Sequence, residues 1–233
     1  MIIAANLKTN LTRHDTRIYI EELQKFADCS SSDVFVFPAM TSLDSFDTKN
    51  ITVGTQNAYP TQNGAFTGEI GLEQLDEFGI KTILIGHSER RHILGESQEF
   101  LVEKFNYFKE KGFQIIFCVG EPKEIREASK EKMLAYIKEQ YNGIDTNYEN
   151  LIIAYEPVWA IGTGLTPTLE DIEAIHAELK KISPAPLLYG GSVKVNNAKD
   201  VLGVKNVDGI LVGSAALHVE DFGKMIQYAD ELN

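Results

Sequence analysis

Lys8 in Asn6-Leu7-Lys8, His87 in Gly86-His87-Ser88-Glu89-Arg90 and Glu156 in Tyr155-Glu156-Pro157 stand where three separate apolar runs end. A carboxylate can take a proton from a substrate, an imidazole can give or receive one, and an ammonium can hold negative charge that develops on oxygen. Two further runs end in Gly190-Gly191-Ser192 and Gly213-Ser214. Taken singly, each has a plainer reading. A lysine is usually a solvated surface charge, a histidine a structural hydrogen-bonding residue, a glutamate before proline a strand end, and Gly-Gly a turn. Their common position at the ends of apolar runs argues for one site, because unrelated accidents of placement explain it less well.

The runs that must position these groups are Ile2–Ala5, Val34–Phe37, Ile51–Val53, Thr82–Ile85, Gln114–Cys118, Leu151–Tyr155, Pro186–Tyr189 and Val207–Val212. Most are continuously apolar rather than alternating, as strands buried on both faces of a parallel sheet are. Between them lie stretches with helical spacing. Leu169, Ile172, Ile175, Leu179 and Ile182 follow a candidate N-cap at Thr168 with Asp171 three residues on. Leu134, Ile137 and Tyr141 form a second such set, and Tyr19, Leu23 and Phe26 a third. No linker or low-complexity tract interrupts the pattern. Repeated β-α units over 233 residues predict an α/β chain folded as a single (β/α)8 barrel spanning 1–233. An open doubly wound sheet is the competitor, but it normally uses fewer strands. In a barrel, strand ends converge on the C-terminal face, so a lysine, a histidine and a glutamate from three strands would meet at one mouth.

Composition narrows the partners. At 43% hydrophobic and 24% charged residues the chain reads as globular, and no apolar run approaches the roughly 20 residues of a membrane span. The first residues carry no basic, signal-like region, and Cys29 and Cys118 form neither a metal motif nor a disulfide framework. A cytoplasmic location is the expectation. A formal net charge of −12 disfavours nucleic acid and anionic membrane surfaces as partners. An anionic ligand would need local positive potential, from backbone amides and one or two placed cations.

Longer motifs sharpen this. The chain resembles the triosephosphate isomerase family along nearly its whole length. The resemblance rests on Asn6-Leu7-Lys8, Gln56-Asn57, Gly64-Ala65-Phe66-Thr67-Gly68-Glu69, Ile85-Gly86-His87-Ser88-Glu89-Arg90-Arg91, Cys118-Val119-Gly120-Glu121, Ala154-Tyr155-Glu156-Pro157-Val158-Trp159-Ala160-Ile161-Gly162-Thr163-Gly164, Tyr189-Gly190-Gly191-Ser192 and Asp208-Gly209-Ile210-Leu211-Val212-Gly213. It implies interconversion of dihydroxyacetone phosphate and glyceraldehyde 3-phosphate through an enediolate, with no metal or organic cofactor. Glu156 then matches the base, and His87 the neutral electrophile for which this family is a long-recognised case of acid/base tuning. Lys8 matches the cation that stabilises charge on oxygen, Asn6 a donor to the same oxygen, and Glu89 the acidic neighbour of the histidine and lysine. Asn6 and Lys8, two apart, are expected on one side of an extended chain. The phosphate is expected on backbone amides of Gly162, Ser192, Gly213 and Ser214, glycine allowing close approach. Ser214 replaces a glycine usual in the family, which leaves its backbone conformation in question.

The resemblance also implies a lid, Pro157, Val158, Trp159, Ala160, Ile161, Gly162, Thr163, Gly164, Leu165 and Thr166, that closes over the phosphate and excludes water. Its far hinge departs from the family. Pro167 supplies no amide hydrogen, so the bond that a tyrosine matching Tyr189 makes there in the family cannot form. Ser192 with the Gly164 amide is expected to carry more of the closed state. The stretch Asn57–Glu69 resembles an interdigitating loop, with Thr67 reaching into a partner, so a homodimer is implied. Cys118, among Ile115, Ile116 and Phe117, is expected to serve packing. Rival readings are another phosphate-binding barrel isomerase or epimerase, which would use metal-bound histidines and aspartates, and a non-catalytic interaction protein on the same barrel.

Overall fold

The computed structural model describes residues 1–161 and 166–233. The strands are β1 (Ile2–Asn6), β2 (Asp33–Phe37), β3 (Ile51–Val53), β4 (Thr82–Ile85), β5 (Gln114–Val119), β6 (Leu151–Tyr155), β7 (Leu187–Tyr189) and β8 (Gly209–Val212). All pairings are parallel, and the order is β3-β2-β1-β8-β7-β6-β5-β4. A parallel bridge between Thr55 and Ile83 brings the two sheet edges together: Thr55 N–H donates to Thr82 O at 2.9 Å, and Leu84 N–H to Thr55 O at 2.9 Å. The result is a nearly closed (β/α)8 barrel with helices between the strands.

The continuous apolar runs are explained by two layers of burial. Along each strand the side chains alternate in direction. Ala4, Phe35, Leu84, Ile116, Cys118, Ile152, Ala154, Leu188 and Leu211 form a core built from strand residues alone, the barrel interior. Their neighbours Ile3, Val36, Ile115, Phe117, Ile153 and Val212 pack outward against helix residues such as Leu23, Phe105, Ile172 and Phe222. Strands apolar on both sides are therefore required.

Two strand starts fall later than their sequence runs. Pro186 has no N–H for the ladder and stays outside β7. Val207 donates its amide to Val204 O at 3.1 Å, in a turn, before β8 begins at Gly209. There a Cβ would stand 1.9 Å from Ile2 O, so β1 and β8 approach closely only over glycine. The helix Leu169–Leu179 starts from the expected cap, Thr168 accepting from Asp171 N at 3.1 Å. Its stripe of Ile172, Ile175 and Leu179 is buried, whereas Leu169, in its first turn, is 40% exposed.

Candidate active site

A cavity of about 270 Å³ opens at the C-terminal ends of the strands. Asn6, Lys8, His87, Glu156, Ser192, Gly213 and Ser214 all line it. Of the other expected site residues, Glu89 stands behind Lys8, and Gly162 lies outside the described residues, as do Thr163, Gly164 and Leu165 of the expected lid.

His87 is set by its turn. Gly86 takes φ +78°, the left-handed region that glycine adopts without strain, and His87 caps the short helix Ser88–His92. The Glu89 amide donates to His87 Nδ1 at 3.3 Å, which assigns the ring proton to Nε2. Nε2 lies 3.1 Å from Glu156 Oε1, and Glu156 Oε2 accepts from the Ser88 amide at 2.8 Å. One helix start thus presents successive amides to the imidazole and to the carboxylate. Glu156 itself is buried, and its backbone amide bonds Val119 O at 2.7 Å, which fixes the end of β6 against β5. Gly120 makes that approach possible, since a Cβ there would lie 1.7 Å from Glu156 O.

Lys8 reaches the cavity by a different route from the expected one. β1 ends at Asn6, and Lys8 has φ +52°, so an extended chain does not carry the two side chains to the same side. A left-handed lysine is strained by about 1 kcal/mol or more and needs holding. The Gln56 amide does so, donating to Lys8 O at 2.8 Å and Phe37 O at 2.9 Å. Asn6 Oδ1 accepts the Lys8 amide at 3.1 Å, which leaves its Nδ2 group as the donor. The Lys8 ammonium sits 2.5 Å from Glu89 Oε1.

At the opposite end of the cavity, the backbone N–H groups of Ser192, Gly213 and Ser214 find no acceptor among the described residues. Gly213 lies against Lys8, where a Cβ would be 3.3 Å from Lys8 Cε. Ser214 opens the turn Ser214–Leu217 and is not among the residues with positive φ, so serine fits there without a glycine-like conformation. The glycine-to-serine change costs no backbone strain.

Pro157 through Ile161 leave the cavity over a short turn, Val158–Ala160. The Trp159 indole N–H donates to Glu121 Oε1 at 3.1 Å, and the Tyr155 hydroxyl reaches the same oxygen at 3.1 Å. The Val158 amide bonds Glu121 O at 3.1 Å, and the Arg126 guanidinium covers the Trp159 ring at 5.6 Å. Burial raises the Glu121 carboxyl above its ordinary range. Glu121, two residues past the end of β5 and quoted above only within a motif, was given no part in holding Trp159. At the far hinge Thr166 is exposed and Pro167 buried, and the buried Tyr189 hydroxyl has no hydrogen-bond partner among the described residues. The parts played by Gln56, quoted above only within a motif, and by the Ser88 amide were not foreseen, because pinning a carbonyl or parking a carboxylate leaves no mark in sequence.

Thr67 is exposed in the loop 57–69, beside Phe66, which is 40% exposed and stacks on Tyr59 at 4.1 Å. Cys118 is fully buried; burial, then the nearby Glu156 charge, push its thiol well up, so it packs rather than reacts. Among the described residues, no group of three or more His, Cys, Asp or Glu side chains is arranged to hold a metal ion, and no helix is long and apolar enough to cross a membrane.

Comparison with known proteins agrees along the full length. The profile of the triosephosphate isomerase family matches residues 1–229. A triosephosphate isomerase of Sulfurimonas denitrificans is 66% identical over 235 residues, covering 100% of this chain and 98% of the relative. One from Sulfurovum is 58% identical over 228 residues, covering 97% and 99%. One from Wolinella succinogenes is 54% identical over 230 residues, covering 97% and 99%.

Proposed function

The chain belongs to the triosephosphate isomerase family and is an intramolecular isomerase of triose phosphates; we propose that Glu156 is the base that interconverts dihydroxyacetone phosphate and D-glyceraldehyde 3-phosphate through an enediolate. The substrate phosphate accepts from the amides of Ser192, Gly213 and Ser214, joined by Gly162 on the family pattern. Its carbonyl and hydroxyl oxygens then face His87 Nε2–H, the Asn6 amide and the Lys8 ammonium. Glu156 leaves the Ser88 amide, takes a proton from the carbon beside the carbonyl, and returns it to the neighbouring carbon. The hydroxyl proton passes between the two oxygens by way of His87, so no electron donor or acceptor is needed. Glu89 holds Lys8 in place. Pro157 to Thr166 closes over the phosphate, keeping water from the enediolate.

The observation that carries this reading is the Nε2–H tautomer of His87, 3.1 Å from Glu156, in one cavity with Lys8. A base and a neutral electrophile already in contact suit proton abstraction next to a carbonyl. The test is coupled turnover of glyceraldehyde 3-phosphate in chelator-treated buffer. Turnover is expected at full rate; no turnover, or turnover restored only by added metal, would overturn it.

The working unit of this reading is a homodimer of single-domain chains, residues 1–233 each, in the cytoplasm. Phe66, next to Thr67 and 40% exposed, supplies apolar area for a partner to cover, and Ile93 at 76% and Leu94 at 63% exposure are further apolar residues open to one. Free thiols at Cys29 and Cys118 suit a reducing compartment.

A further inference from the structure

The proposed substrate is an anion, the chain carries −12, and the cavity has few cations to offset that field. Among the described residues lining it, Lys8 and Lys194 are the only cations, with Glu156 as their acidic counterpart. Lys8 is already committed, its ammonium 2.5 Å from Glu89 Oε1. Seen from solvent, that pair is close to neutral.

Lys194 differs in each respect. It is exposed, and it takes part in none of the ion pairs among the described residues. Its backbone is held: Asn197 Oδ1 accepts the Lys194 amide at 2.8 Å, while Asn197 Nδ2 donates to Ser192 O at 3.2 Å. The same asparagine therefore holds the Ser192 carbonyl, one peptide on from the N–H proposed to take the phosphate, and the root of Lys194. Lys194 also lines a neighbouring shallow cavity with Asn196, Ser214 and Asp221, and so stands on the ridge beside the phosphate end. Asp221 is the acid facing it there, beyond ion-pair distance.

We infer that Lys194 is the steering and capture cation of the site, a positioning residue that draws the phosphate dianion to the amides of Ser192 and Ser214 and takes no part in proton transfer. The inference rests on the isomerase reading for its substrate, but its electrostatic content is separable. An exposed ammonium on the rim of a cleft acts through a field that salt screens over about 8 Å at physiological ionic strength.

The test compares wild type with Lys194→Gln and Lys194→Arg across ionic strength, on two readouts. One is kcat and kcat/KM for glyceraldehyde 3-phosphate; the other is calorimetric Kd for glycerol 3-phosphate, which carries the phosphate but no carbonyl. Lys194→Gln is expected to lower kcat/KM and weaken glycerol 3-phosphate about three- to tenfold at low salt, with kcat unchanged and the gap closing near 1 M salt. Lys194→Arg is expected to retain both values. Identical salt dependence in wild type and Lys194→Gln, a loss confined to kcat, or failure of arginine to substitute would each overturn the inference. Salt-dependent glycerol 3-phosphate binding lost in Lys194→Gln, in a protein that does not isomerise, would uphold capture and overturn the isomerase reading instead.

Discussion

Glu156 rests with both oxygens occupied, one by His87 Nε2–H and one by the Ser88 amide. As the proposed base, the carboxylate must give up the amide without losing its approach to the substrate carbon, so side-chain length matters more than charge. Glu156→Asp keeps the charge and retracts it by one methylene. We expect kcat to fall by about 10² to 10³ with KM changed little, since misplacement near 1 Å alone costs on the order of 10². Steady-state kinetics check this, and an unaffected kcat would remove Glu156 from the base role. At this scale the sequence was informative where a residue's type sets its chemistry: Lys8, His87 and Glu156 stood out as ionisable residues ending apolar runs. It marked Gln56 only as part of a motif, with no role, because what Gln56 does depends on the left-handed Lys8 it holds.

The segment from β6 through the helix Leu169–Leu179 carries the element-level predictions. Trp159 and Tyr155 share one Glu121 oxygen at the near end, while at the far end Pro167 offers no amide and the Tyr189 hydroxyl is buried without a partner among the described residues. Pro167→Ala restores an N–H at that hinge. It is expected to shift the open–closed balance, read as altered relaxation of Trp159 fluorescence together with altered kcat. If both readouts stay unchanged, the hinge idea fails. The same helix buries His176 completely, with Nδ1 3.0 Å from Asn206 O and its ring against those of Tyr155 and Tyr189 at 5.9 and 6.3 Å. Burial lowers its pKa from 6.5 to about 4. Between those values the unfolded chain binds a proton that the folded one refuses. The stabilisation from neutral His176 is therefore complete above about pH 6.5 and is lost as pH falls toward 4, on the order of 3 kcal/mol in all. Thermal melts should show Tm falling through that window, less steeply in His176→Gln; parallel slopes would show that His176 is not responsible. Helix and strand positions were legible because burial on two layers imposes the apolar runs. The Pro167 departure was legible because proline's missing amide is a property of the residue.

For the whole molecule, assembly is the open property with the sharpest test. Native sedimentation is expected at twice the 26.0 kDa of the chain. Thr67→Arg, placed where the loop 57–69 would enter a partner, is expected to shift it toward the single-chain mass and lower kcat about tenfold or more, because loss of a brace loosens placement of the groups behind it. A monomeric wild type, or a Thr67→Arg dimer with full kcat, would refute the braced-dimer arrangement. The net charge of −12 belongs to this scale too. It sets the repulsive field against which any cation on the rim of the cavity acts.

By itself the sequence determined the barrel, its strands to within one or two residues, and the placing of Lys8, His87 and Glu156 at its mouth. These follow from local rules: two-sided burial makes a strand continuously apolar, and a charge at its end has nowhere to go but the rim. The tertiary structure decided what depends on groups brought together from distant segments. It set the His87 tautomer through the Glu89 amide, parked Glu156 on Ser88, placed Lys8 by a left-handed turn pinned by Gln56, and cleared Ser214 of strain. It also separated the two lysines of the cavity, one bound to a carboxylate and one exposed, a difference that depends on which side chains surround each ammonium in space.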